Sequence, residues 1–180
     1  MKKIMMTLAA VAMAATMNAQ VYVGGSLGFG SVKHGDSEST YKIIPEIGYN
    51  LNDQWAVGVK VGYQKGDASF GNGEKSISQD VTTETFSVSP YARYTFLNTD
   101  MVNLFVDGGV DFQSVKDHGT VFGVGLRPGV ALKASDKVSF VAHFGFVGYE
   151  NFSPKGDGDS SNAFGLDLSN NVSFGIYYNF

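Results

Sequence analysis

Two histidines in this chain stand beside carboxylates: His34 lies two residues before Asp36, and His118 directly follows Asp117. A histidine oriented by a carboxylate is half of a hydrolytic relay, and the other half is a nucleophile within hydrogen-bond reach. Both pairs fall in polar stretches among glycine and serine, where a solvated surface residue is the ordinary outcome. Nothing in their spacing makes a nucleophile, a base and an orienting group converge, so the chain is expected not to be an enzyme. The stretch GNGEKS, 71–76, lacks the Gly-Lys-Ser adjacency and the following helix of a phosphate loop. In KGDGDSSN, 155–162, Asp157 and Asp159 alternate, but the full ligand set and distal glutamate of a calcium loop are missing. No metal and no cofactor are expected. A larger set remains: Lys42, Lys60, Arg93 and Arg127 against Glu46, Asp107, Asp111 and Asp167, with His143. Most of these stand singly within apolar surroundings, so what they do depends on the elements that carry them.

The chain has 180 residues, of which 17% are charged, below the roughly 25% usual in soluble domains. A net charge of −4 without a Lys/Arg cluster argues against nucleic acid as a partner. Residues 1–19 read as a secretory signal peptide: Lys2 and Lys3, an apolar run from Ile4 to Ala15, then Met17-Asn18-Ala19 as the cleavage box. Cleavage is expected after Ala19, leaving residues 20–180 as one domain. Cysteine is absent, so neither a disulfide framework nor a lipidated thiol is available.

From there to the end, period-two alternation dominates, the signature of β-strands. The cleanest run is QWAVGVKVGYQ, 54–64, with Trp55, Val57, Val59, Val61 and Tyr63 on one face. Similar runs occupy 21–30, 41–51, 82–96, 102–113, 120–132 and 138–149. The last spans 163–180 and holds one parity from Phe164 to Phe180. Tight turns at NLND (50–53), LNTD (97–100) and KASD (133–136) alternate with longer polar connections at about 31–39, 65–81, 114–119 and 150–162. That rhythm predicts an eight-stranded antiparallel up-and-down β-barrel.

The apolar parity carries roughly forty large side chains, more than the interior of an eight-stranded barrel can hold. The other parity is rich in glycine, serine and alanine, which suit a narrow lumen. Aromatic residues gather near strand ends as two belts: Tyr49, Trp55, Tyr94 and Phe96 at the turn end, Tyr63 and Phe112 at the loop end. Such belts mark the two membrane interfaces, so the apolar face looks at lipid and the barrel is transmembrane. Pro45, Pro90 and Pro128 fall inside these strands and predict bulges or local widening.

The chain resembles the OmpA/OmpX-type eight-stranded outer-membrane barrels, the group described as the outer membrane protein beta-barrel domain or porin family. The resemblance spans 20–180 and is one of pattern. The signal ending in Ala-Gln resembles those of Bacteroidetes-type bacteria. The most specific motif is the C-terminus: Ser173, Gly175, Tyr178 and Phe180 match the final-strand signal that the barrel-assembly machinery reads in that family. The resemblance implies a monomer in the outer membrane of a Gram-negative bacterium, with outer-membrane lipids and the assembly machinery as partners and a cell-surface ligand met through the loops.

On the lumen parity the four cations and four carboxylates balance, and unpaired charge in so confined a space is costly. With the tight turns as register anchors, Asp107 is expected opposite Arg127, Arg93 diagonal to Asp107, His143 beside Arg127, and Glu46 diagonal to Lys60. The expected result is a polar plug, and with it a structural or surface-interaction role. The other readings are a narrow small-solute channel, a rim enzyme acting on lipid, and an accessory barrel of an export or uptake complex.

Overall fold

The computed structural model describes residues 20–34, 36–65, 84–156, 159–167 and 173–180. The expected signal peptide, Gly35, the GNGEKS stretch and Asp157 lie outside the described residues. Strand segments are β1 (Val21–His34), β2 (Asp36–Asn50), β3 (Trp55–Lys65), β4 (Glu84–Asn98), β5 (Val102–Val115), β6 (Gly119–Lys133), β7 (Val138–His143), β8 (Phe146–Pro154), β9 (Ser161–Asp167) and β10 (Ser173–Asn179). They form a closed antiparallel barrel of eight staves. The seventh stave is β7 continued by β8, both paired to β6. The eighth is β9, paired to β8, and β10, which closes the ring between β7 and β1. Residues 168–172, inside the single strand expected over 163–180, are not among the described ones.

The three turns at one end are capped by their own side chains, which is why short polar sequences suffice there. Asn52 Oδ1 accepts the backbone N–H groups of Gln54 and Trp55, both at 2.9 Å. Thr99 Oγ1 donates to Val102 O at 2.8 Å and accepts Val102 N–H at 2.9 Å. Ser135 Oγ accepts Val138 N–H at 3.1 Å. These are the Asx- and Ser/Thr-turn geometries that make such residues turn formers. At the other end two expected loops are tighter than foreseen. β1 and β2 stay paired up to His34 and Asp36, and the β5–β6 turn is only 116–118, with Asp117 left-handed at φ 63°.

Alternation sorts the faces as expected over most of the barrel. Leu126, Phe140 and Phe174 point outward with half or more of their surface exposed. Trp55, Tyr63, Phe96 and Phe112 are exposed on the same outer face, and the Trp55 ring meets that of Tyr94 at a tilt with ring centroids 4.9 Å apart. Tyr49 is exposed beside them and donates its hydroxyl to Gln20.

The three prolines act in two ways. Beside Pro45 the β2–β3 ladder skips Ile44 and Pro45, and beside Pro90 the β4–β5 ladder skips Ser89 and Pro90, both without a change of register. Opposite Pro128 the seventh stave is interrupted at Phe144 and Gly145, with Gly145 at φ 77° and Phe144 N–H donating to Pro128 O at 3.0 Å. The interruption shifts register by one residue between β7 and β8. Such a slip exchanges the two faces. Phe146, which shares the parity of the outward-facing Phe140, therefore turns into the lumen and is buried. A further irregularity, which no proline marks, lies in β4 between Thr95 and Leu97.

Candidate functional site: a buried polar cluster in the lumen

Midway along the barrel, the staves send side chains inward to one hydrogen-bonded cluster. β1 contributes Tyr22, β2 Glu46, β3 Lys60, β4 Tyr91 and Arg93, β5 Phe105 and Asp107, β7 His143 and β10 Tyr177. β6 contributes Gly129, against which the Phe105 ring packs.

Asp107 is the hub on one side. Its Oδ1 accepts Arg93 Nε–H at 2.6 Å; its Oδ2 accepts Arg93 Nη2 at 2.9 Å, Lys60 Nζ at 3.1 Å and His143 Nε2 at 2.9 Å. Four donors match the roughly four acceptor sites of a carboxylate, so a group only 2% exposed is saturated. Glu46 is the hub on the other side, accepting from the Tyr91 hydroxyl and from the Tyr177 hydroxyl at 2.7 Å. Tyr91 spends its single proton on Glu46, so Tyr22 donates to Tyr91 across 2.5 Å. Arg93 joins the halves: Nη2 donates to Tyr177 Oη at 3.1 Å and lies 3.5 Å from Glu46 Oε1. Its guanidinium sits 3.9 Å from the Phe105 ring centroid and faces Tyr22, Tyr91 and Tyr177 at 5.2–5.7 Å. Two cations and two carboxylates cancel, each hydrogen-bonded, which is the condition under which buried charge is tolerated.

Nearer the loop end a smaller pair repeats the scheme. Arg127 Nη2 donates to Asp111 Oδ2 at 2.7 Å, and its guanidinium covers the Phe146 ring at 4.8 Å. Arg127 does stand opposite Asp107 on the ladder, yet its ion pair is with Asp111. Arg93 is not diagonal to Asp107 but directly opposite. Glu46 is likewise directly opposite Lys60, whose ammonium reaches past it to Asp107. His143 stands opposite Gly129, two residues along β6 from Arg127, and bonds Asp107 instead. Lys42 is half-buried on β2 and has interactions of its own. Asp167 ends β9 opposite Phe146.

The inward aromatics are the part that sequence reasoning missed. Tyr22, Tyr91, Phe105 and Tyr177 occupy the parity read as glycine, serine and alanine, and each is paired in register with a glycine: Gly48, Gly58, Gly129 and Gly24. A Cβ at Gly48 would lie 2.1 Å from Tyr22 Cζ, and one at Gly24 would lie 2.1 Å from Tyr177 Cδ1. The glycines are seats for rings. The signal was available: an aromatic directly across from a glycine on the lumen parity. Gly48→Val is expected to lower the unfolding free energy in lipid vesicles by about 1–3 kcal/mol, the usual cost of overpacking. A Tyr22→Ala background should absorb most of that loss; an equal loss in both backgrounds would show that the ring contact is not its cause.

At the loop end, His118 Nδ1 lies 2.9 Å from Lys116 O within its own turn. Among the described residues, no three His, Asp or Glu side chains gather as a metal site. The β1–β10 seam ends with Tyr178 and Phe180 ring centroids 5.1 Å apart, while Phe180 N–H donates to Val21 O at 3.2 Å. Ser173 and Gly175 lie on the same segment, Ser173 opposite His143 and Gly175 between Ser26 and Val141.

A closed barrel with an apolar outer band and buried polar side chains inside agrees with the comparison to known families. The model for the outer membrane protein beta-barrel domain matches residues 4–180. The chain belongs to that family. Its setting is therefore the outer membrane. No curated protein matches this family member. Among solved structures it is similar to Neisserial surface protein A (NspA), with 17% identity and a TM-score of 0.50, covering 91% of this chain and 98% of that one. It is also matched to OmpT, an outer membrane protein of Vibrio cholerae, at 17% identity and a TM-score of 0.31, over 89% of this chain and 51% of that one.

Proposed function

We propose that this barrel is a non-enzymatic outer-membrane protein whose lumen is closed to solutes and whose role is structural or carried by its surface. It works as a monomer among outer-membrane lipids and meets a cell-surface ligand through its loops. The observation that supports this reading is the cluster around Arg93, Asp107 and Glu46, to which seven staves contribute polar or aromatic side chains and the eighth a glycine. An eight-stranded barrel leaves room for its own side chains or one small ligand, and here side chains take that room. Purified protein in planar bilayers should show no steady conductance. Stable, substantial single-channel currents would replace the plug with the small-solute channel.

Ser173, Gly175, Tyr178 and Phe180 are proposed as the signal for the barrel-assembly machinery. Removing Phe180 deletes one ring of the periplasmic belt and one backbone bond to Val21, a modest loss for the folded barrel. Its expected effect is thus on delivery: secretion intact, outer-membrane level strongly reduced, and heat-modifiable mobility kept by the protein that does assemble. A normal outer-membrane level would remove the signal from these residues.

A further inference from the structure

One member of the cluster carries a charge that ordinary changes of pH alter. Histidine is the side chain whose unperturbed titration falls between about pH 5 and pH 8, and His143 stands buried at the end of β7. Its Nε2 donates to Asp107 Oδ2 at 2.9 Å. The same nitrogen lies 3.3 Å from Lys60 Nζ and 3.5 Å from Arg93 Nη2, both of which bond that same oxygen. Three nitrogens therefore crowd around one carboxylate oxygen. While Nε2 carries the ring's single proton the imidazole is neutral, and Lys60 and Arg93 balance Asp107 and Glu46.

A second proton, taken up at Nδ1, makes His143 a third cation against two carboxylates. Among the described residues its surroundings offer no further anion. From β6 it meets Gly129, and Arg127, two residues along, is a cation already paired with Asp111. From β10 it meets Ser173 and, further along, Tyr177, whose hydroxyl donates to Glu46. Glu46 itself is engaged by Tyr91 as well, and Tyr91 in turn by Tyr22. From β5 the Phe105 ring stands edge-on at 5.3 Å and already carries the Arg93 guanidinium. Asp107 accepts four donors and has no site for a fifth. Buried charge without compensation is the costly case. Lys60 is the member able to leave: its side chain is 17% exposed against 9% for Arg93, and among the described residues Asp107 is its one carboxylate partner.

We propose that His143 is a proton-operated latch on the plug: neutral, it completes the seal around Asp107; protonated, it repels Lys60 and Arg93 and opens the lumen to ions. Water around the ring accommodates an imidazolium better than the packed cluster does. The hydrated state therefore binds the proton more readily, and acid shifts the equilibrium towards it. The proposal rests on the closed-lumen reading and adds the condition under which closure is lost.

Planar-bilayer recordings of the purified barrel at about pH 8 and about pH 5, which bracket the ordinary histidine range, test it. The barrel should be silent at the higher pH, with open probability raised at least about tenfold at the lower, as one coupled proton allows. His143→Gln keeps an N–H for Asp107 but takes up no proton, and should stay shut at both. Lys60→Met removes a cation, so that a protonated His143 restores the balance; its response should be reversed, with more conductance at the higher pH. That variant decides the matter if His143→Gln yields no heat-modifiable band. The other two histidines, His34 at the end of β1 and His118 in the β5–β6 turn, lie at the loop end, and changing both to Asn should leave the acid response intact. Acid opening retained in His143→Gln, its loss on changing His34 and His118, or any Lys60→Met response other than the reversed one would overturn the latch. Conductance by the unaltered protein at the higher pH sinks the plug itself, whereas a barrel silent at both sinks only the latch.

Discussion

Arg93→Met should destabilise the barrel by about 3–5 kcal/mol and open the proposed plug to ions. The first figure is the usual cost of removing one partner from a buried ion pair, because the other charge stays buried without compensation. Here two carboxylates are stranded. Asp107 keeps Lys60 and His143 but loses both Arg93 bonds, and Glu46 loses its only cation within 4 Å among the described residues. Methionine fills some of the space over Phe105 but donates nothing to Tyr177. Water must then enter to solvate Glu46 and Asp107, and a hydrated path lined by carboxylates should favour cations. Urea unfolding in lipid vesicles reads the first effect, and reversal potentials in a salt gradient read the second.

Two comparisons separate the network from general damage. Arg93→Met combined with Asp107→Leu removes a cation and its principal acceptor together, and should recover a large part of the loss. Lys116→Ala breaks an exposed pair with Glu84, 3.1 Å apart at the loop end. Exposed pairs contribute about 0–1 kcal/mol, so that variant should unfold almost as the unaltered protein does. A change of under about 1 kcal/mol in Arg93→Met would mean that the lumen is already hydrated and the plug is not a seal.

The architecture was legible because a bilayer imposes a simple rule on each residue of a strand, outward apolar and inward small or polar. Trp55, Val57, Val61 and Tyr63 obey it without interruption along β3. What was not legible is where the rule slips. Counting up from the turn at 99–101 pairs Leu97 with Leu104 and puts Arg93 diagonal to Asp107. The irregularity between Thr95 and Leu97 moves the ladder by one and sets them face to face. Nothing in Tyr94-Thr95-Phe96-Leu97 announces it, since a bulge is a property of two strands together. The slip at Phe144-Gly145 did leave a trace, because glycine inside an apolar strand is a common bulge marker. Reading it would have turned Phe146 inward beside Arg127. The charged members of the plug were found by parity alone. Their partners were not, because a one-residue register error exchanges neighbours.

Leu126→Arg is the variant that tests the outer face, and it should lower the unfolding free energy in vesicles by about 2–4 kcal/mol, the cost of an arginine on the lipid side at the bilayer midplane. Leu126 is half exposed and lies at the middle of β6, seven residues from each end of Gly119–Lys133. In a water-soluble barrel the same exposed leucine could become arginine for within about 0.5 kcal/mol, since surface substitutions seldom cost more. The two environments thus predict different magnitudes for one substitution. Depth provides the control: Tyr178→Arg places the same charge in the periplasmic belt, where Lys137 already lies 5.8 Å from the Tyr178 ring. Near an interface an arginine costs about 0–1 kcal/mol. The expected pattern is a large loss at Leu126 and a small one at Tyr178. Equal, small losses at both would place water rather than hydrocarbon against β6.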